Sequence, residues 1–241
     1  MKNLIIIVTF VALAVACKGE KQDLFADGKA LSMANFEVPQ EEVDSKIPKS
    51  YSFDYKLTVE IASKEGSMDV HYMVKPDATY YGMVRVLDKK DLTKNSITIM
   101  DIGRKKVLTC RNGKGGKFLR STAIPEVENE ADRQITIERT DTKKILGYDC
   151  QGYKINTDDG TSVIYLTQDA GFAFNKGFGA FSKMSLNNKG IDTAIVEELE
   201  NGLLLVLEYK GNGNITAKMT VKEVLKLSYS VDLSEYKTIG S

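Results

Sequence analysis

Tyr51-Ser52-Phe53-Asp54-Tyr55-Lys56-Leu57-Thr58-Val59-Glu60-Ile61 is the stretch on which the fold turns. Apolar and polar side chains alternate there without a break. As a strand it has one dry face, made of Tyr51, Phe53, Tyr55, Leu57, Val59 and Ile61, and one wet face. Working outward, Glu65-Gly66 turns the chain into Ser67–Lys75, where Met68, Val70, Tyr72 and Val74 hold the inward positions. Pro76-Asp77 turns it again into Thr79–Val86. Further strands are expected at 96–102, 105–111, 116–121, 134–139, 144–156 and 161–168. The glycine- and aspartate-rich runs Asn112–Gly116 and Asp158–Gly160 read as hairpin turns. The pattern is an antiparallel meander.

Residues 169–201 interrupt it. Phe172, Phe174, Phe178 and Phe181 are spaced by Gly and Ala, and a short helix is expected near Asp192–Glu200. Strand pattern returns at Leu203–Lys210, which starts apolar on both sides and is expected to be covered on both. Ile215–Val221 alternates again, and Leu225–Val231 closes the domain.

The chain has 241 residues, 33 Lys+Arg against 33 Asp+Glu, one His, three Cys and no Trp. Such a balance supplies no basic field for nucleic acid. One His leaves no His-rich metal site and gives a hydrolytic triad a single residue to rest on. That residue, His71, lies on the face opposite Met68, Val70, Tyr72 and Val74, as an exposed strand histidine would. No Gly-x-Ser-x-Gly elbow occurs, Asn112–Lys117 lacks phosphate-loop spacing, and Asp158-Asp159 lacks the alternating carboxylates of a calcium loop. Neither catalysis nor a cofactor or metal is expected.

The first residues, MKNLIIIVTFVALAVAC, read as an address. Lys2 precedes an apolar run from Leu4 to Ala16 that is too short for a bilayer span, which needs roughly 20 residues, but suits a signal peptide. Leu13-Ala14-Val15-Ala16-Cys17 resembles the lipobox of bacterial lipoproteins, although Ala14 stands where Leu is commoner. The expectation is a signal peptide over 1–16, lipidation at Cys17, and a polar tether to residue 50 with a short helix near Leu24–Phe36. Acyl chains at Cys17 would anchor the protein to a membrane without a spanning helix. Lys18 after the Cys resembles the signal for outer-membrane sorting, on the periplasmic face or at the cell surface. One domain is then expected over 51–241, with its insert at 169–201.

Two more features bear on function. Cys110 and Cys150 remain after Cys17 is acylated, and either form a disulfide closing a loop of roughly 40 residues, or stay as two buried thiols. Met68, Tyr72, Met83 and Met100 share apolar faces and, with Phe172, Phe174, Phe178 and Phe181, could line a cavity for a lipid or acyl chain. The same residues also fill ordinary cores, so a partner-binding module with a packed interior is the rival reading.

Several segments resemble one family. They are Ile47–Tyr55, Val74–Met83, Lys143–Ile155 with its Ile145-Leu146-Gly147-Tyr148-Asp149-Cys150 core, and Gly202–Glu208. Together they are similar to the domain-of-unknown-function family forty-four twelve, common in envelope proteins of Bacteroidota, over roughly residues 47–237. Cys150 sits where that family often carries a Cys. The resemblance implies a mainly β fold of the kind seen in LolA and LolB carriers. That is an open half-barrel: one strongly curved antiparallel sheet with helices or loops on the concave side. It implies no activity and no catalytic residues.

Overall fold

The alternation that starts at Tyr51 becomes β1 (Ser50–Ser63), which pairs with β11 on one side and β2 on the other. The computed structural model describes residues 47–64, 66–76, 78–85, 96–113, 115–124, 135–158, 160–173, 192–211 and 214–239. The expected signal peptide over 1–16, Cys17, residues 18–46 of the expected tether with its helix, and Phe174, Phe178 and Phe181 lie outside these residues. At the end of that expected tether, by contrast, Ile47 packs against the sheet and Ser50 opens β1.

After β1 come β2 (Gly66–Val74), β3 (Tyr80–Arg85), β4 (Ser96–Asp101), β5 (Lys106–Gly113) and β6 (Gly116–Ala123). Then follow β7 (Thr136–Ile145), β8 (Tyr148–Thr157), β9 (Gly160–Thr167), helix α1 (Thr193–Asn201), β10 (Leu203–Gly211) and β11 (Asn214–Asp232). A 3-10 turn (Leu233–Glu235) leads to β12 (Lys237–Thr238). All the strands belong to one open 12-stranded sheet, in the order β12-β6-β5-β4-β3-β2-β1-β11-β10-β9-β8-β7. Every pairing is antiparallel except β12 with β6, so the sheet is mixed rather than purely antiparallel.

The sheet must curl. Between β11 and β6 lie six strand spacings, about 29 Å if the sheet were flat. Only the short turn from Asp232 to Lys237 joins β11 to β12, which pairs with β6, a reach of about 17 Å at full extension. The first half therefore bends until β6 comes near the end of β11, and Lys117 of β6 ion-pairs with Glu235 in the connecting turn.

Two apolar clusters result. Tyr72 and Val74 belong to one, while Met73 between them belongs to the other, so the clusters lie on opposite faces of β2. β1 contributes to both. Its register against β11 slips between Phe53 and Tyr55, and the dry face read as continuous divides there. Tyr51 and Phe53 pack with Met73, Ile97, Ile99, Leu108, Cys110 and Leu119, whereas Tyr55, Leu57, Val59 and Ile61 pack with the other cluster. Gly82 leaves room for this packing: a Cβ there would stand 2.8 Å from Ile97 Cδ1 and 3.2 Å from both Met73 Cβ and Phe53 Cζ.

Two boundaries differ from the sequence reading. The expected gap between 139 and 144 is continuous strand, and β7 turns into β8 at Leu146-Gly147, both with positive φ (52° and 86°). A two-residue loop with both residues left-handed matches the strand twist, but Leu is an unusual occupant. The two strands expected at 215–221 and 225–231 are the single 19-residue β11. The helix forms nearly where expected: Asp192 caps α1 by accepting from the Ala194 N–H at 2.9 Å, and Ile195, Val196 and Leu199 are buried. β10 is covered on both faces at its start, with Leu203, Leu204 and Leu205 all buried.

Candidate functional site

Two ladder rows run across one face of β1 to β4. Leu57, Tyr72 and Met83 stand side by side in one, and Tyr55, Val74, Tyr81 and Met100 in the next. The rows exist because each strand places alternate residues on the same side, and register puts aromatic, aliphatic and thioether groups in line. The Tyr72 and Tyr81 rings lie 6.1 Å apart, and burial raises both phenols well above their ordinary range, so both stay neutral. Tyr72 and Tyr81 are buried, and Met83 and Met100 are partly exposed.

Phe172 lies in the first described stretch of the insert, and its ring stacks on Tyr55 at 4.1 Å with the planes 20° apart. Of the residues read as ligand-lining, Tyr72, Met83, Met100 and Phe172 are thus brought into one cluster. Met68 lies opposite Ile61 at the far end of β2 and is exposed rather than enclosed.

Helix α1 covers the neighbouring part of this face, with Leu199 fully buried in the same cluster. It is fastened by a group that sequence reasoning missed. Glu198 accepts from Arg139 Nη2 at 2.7 Å and Nε at 3.2 Å, and from the Tyr153 hydroxyl. The Arg139 hydrogen bond, and then that of Tyr153, hold the Glu198 carboxyl below its ordinary range. Burial and the same carboxylate push Tyr153 up to about 12. Nothing local marks these residues, which lie 45 and 59 positions from Glu198. The helix end is seated as closely: Gln168 Nε2 donates to the Glu198 carbonyl at 2.8 Å, and Leu166 fills the space beside Gly202.

The bridge between Cys110 and Cys150 is not formed. Both are free, buried thiols. They lie on β5 and β8, eight strand spacings apart in the sheet order, and in different clusters. Burial pushes the Cys110 thiol up to about 12, which makes it a poor nucleophile. His71 is half-buried, with its Nδ1 3.2 Å from Thr58 Oγ1, and desolvation followed by the nearby Lys56 lowers its pKa. Among the described residues, no group of three or more His, Cys, Asp or Glu is placed to hold a metal ion, and no helix is long and apolar enough to cross a membrane.

No curated protein matches the chain. Among solved structures, PNGF-II is 13% identical with a TM-score of 0.41, the match covering 78% of this chain and 31% of that one. The chain thus spans about a third of PNGF-II. An uncharacterized conserved protein from Thermus thermophilus is 9% identical, TM-score 0.43, covering 78% and 91%. A putative outer membrane lipoprotein-sorting protein domain from Vibrio parahaemolyticus is 11% identical, TM-score 0.21, covering 72% and 85%. The family model of DUF4412, a domain of unknown function, matches residues 53–228, most of the described sheet, and the chain belongs to that family.

Proposed function

We propose that the protein is a lipid-anchored lipoprotein of the cell envelope that binds a lipid or acyl chain without chemistry. Its ligand lies against the Tyr55/Tyr72/Met83/Met100 face, beside Phe172 of the insert. The observation that carries this reading is the Tyr55–Phe172 stack, which brings the first ring of the Phe-rich insert down onto the methionine- and tyrosine-lined face. Methionine side chains adapt to irregular apolar ligands, and burial supplies about 25 cal/mol per Å² before ordering costs. The lipobox-like Leu13–Cys17 supplies the anchor, at the outer membrane.

Native mass spectrometry with lipid extraction, on the chain from Lys18 onward, tests it. A stoichiometric acyl lipid, lost in Phe172→Ser while the fold persists by circular dichroism, supports the reading. A clean apo mass that also takes up no fluorescent fatty acid overturns it.

A second reading has its own support. Leu57, Leu199, Leu203 and Leu205 have no exposed surface, as in a filled core. A filled interior would make the protein a partner-binding envelope module.

A further inference from the structure

The first ladder row of the candidate site, Leu57, Tyr72 and Met83, does not end there. It runs on through Thr98 of β4 and Thr109 of β5 to Arg120 of β6. No register slip interrupts these pairings, so the added residues stay on the face that carries Tyr72. Burial falls along the row as its chemistry changes. Leu57 and Tyr72 are buried, Met83, Thr98 and Thr109 are partly exposed, and Arg120 is exposed. Arg111, two residues beyond Thr109, is exposed on the same face, a diagonal neighbour of Arg120 at about 7–8 Å between backbones. From Met83 to Arg120 is three strand spacings, about 14 Å.

Charge sets this region apart. β1, β7, β8, β10 and β11 match basic side chains with carboxylates across their surface, as in Lys56–Glu223, Lys218–Glu208 and Lys144–Asp149. β4 to β6 instead hold Lys106, Arg111, Lys117 and Arg120 against one carboxylate, Asp101. Asp101 is fully buried and bound to Tyr51 and Arg104. On these three strands no carboxylate shares the face with Arg111 and Arg120. In a chain of zero formal charge, that is a local excess of positive charge.

We propose that the ligand is an amphiphile with an anionic head, a carboxylate or a phosphate. Its acyl chain lies on Tyr72, Met83 and Met100, and its head is bound by Arg111 and Arg120 beside the Thr98 and Thr109 hydroxyls. This rests on the lipid-binding reading and adds the head group to it. A guanidinium takes an oxyanion in paired N–H···O bonds, and threonine hydroxyls supply further donors. A molecule graded from apolar to anionic matches a row graded in the same order, whereas a lipid without net charge leaves the arginines with nothing to neutralise.

The test is native mass spectrometry of the full chain, carrying Cys17→Ser, in a non-ionic detergent. The probes are equimolar palmitate, lysophosphatidylglycerol and lysophosphatidylcholine with the same acyl chain. An anionic probe is expected to be retained about tenfold over the zwitterionic one. Palmitate leads if the head is a carboxylate, and lysophosphatidylglycerol if it is a phosphate. Arg120→Gln should reduce that preference, and Arg111→Gln with Arg120→Gln should abolish it while retention of the zwitterionic probe is unchanged. Lys210→Gln, which removes an exposed charge on β10, should leave the preference intact. Circular dichroism checks that each variant folds. Equal retention of the three probes, or a preference that survives the double variant, overturns the head-group site and leaves the acyl-binding reading standing. Retention of none overturns both.

Discussion

The Tyr51 hydroxyl donates to Asp101 Oδ2 at 2.6 Å, inside the curl of the sheet and across 50 residues of chain. Asp101 is fully buried, and it also accepts from the Arg104 backbone N–H at 3.0 Å and from Arg104 Nη1 at 3.1 Å. One carboxylate therefore ties the start of β1 to the turn between β4 and β5. Desolvation, followed by the hydrogen bond to this carboxylate, raises the Tyr51 phenol far above its ordinary range, so it remains the donor at any physiological pH. Replacing Tyr51 by Phe leaves a buried carboxylate short of a donor. The expected cost is about 1–3 kcal/mol, read as a lower urea midpoint with an unchanged slope.

Gly82 and Phe53 form a second cross-strand dependence. The Phe53 ring lies over the glycine, with Met73 Cβ and Ile97 Cδ1 closing the sides. Gly82→Ala is expected to destabilise by about 1–3 kcal/mol through overpacking. Phe53→Leu in the same chain should recover part of that loss, and a double-mutant cycle in denaturant measures the coupling. Additive losses would show that the ring is not what crowds the site.

Much of this architecture could be read from the chain, and the exceptions have local causes. The period-two run of β1 stood out because its apolar positions are buried and the residues between them are wetter. The β7–β8 hairpin was cut in the wrong place because Leu146-Gly147 carries no Asn or Asp to announce a left-handed turn. The slip at Phe53/Tyr55 leaves the apolar alternation intact while sending its two halves to opposite sides, so no pattern could reveal it. At the candidate site, Tyr72, Met83, Met100 and Phe172 were legible as apolar periodic positions. Arg139, Tyr153 and Glu198 were not, because a charged residue on an exposed strand or helix looks the same whether or not topology supplies its partner.

The Leu146 turn yields a prediction of opposite sign to most substitutions. Leu146 is 45% exposed and held at φ 52°, a region that costs a β-carbon residue roughly 1–2 kcal/mol. Leu146→Asn or Leu146→Gly loses little packing and relieves that strain. Either is expected to raise stability by about 0.5–1 kcal/mol, visible as a Tm increase of a few degrees. Gly147→Ala, with φ 86°, is expected to lower it.

The thiols provide a chemical test of the two-cluster core. Cys110 and Cys150 are buried in separate clusters, and burial raises both pKa values. Neither should react with a thiol reagent at neutral pH in the folded chain carrying Cys17→Ser, and both should react after unfolding, even when the protein is purified under air. Two labelled sites fewer in the unfolded, unreduced protein than in the reduced one would be inconsistent with two independent thiols.

The helix latch sets the acid limit of the site. Because the folded Glu198 carboxyl lies below its ordinary range, the unfolded chain takes up a proton there first as pH falls. The stabilisation is therefore complete above the ordinary carboxylate range, near pH ~4.3, and is lost as pH drops through the lowered folded value. The Arg139 and Glu198 side chains are both partly exposed, so solvent screens the pair and its contribution to global stability is small. Its local effect is larger than its global one, since it fastens α1 to β7 and β8. Hydrogen exchange of amides Ile195 to Asn201 should speed up as pH is lowered through that window, after correction for intrinsic rates, while β1 and β11 stay protected. Glu198→Gln keeps the shape but removes the charge, and it should give the faster helix exchange already at neutral pH, with the acid-dependent step abolished. If the variant still shows that step, the latch resides elsewhere than in this carboxylate.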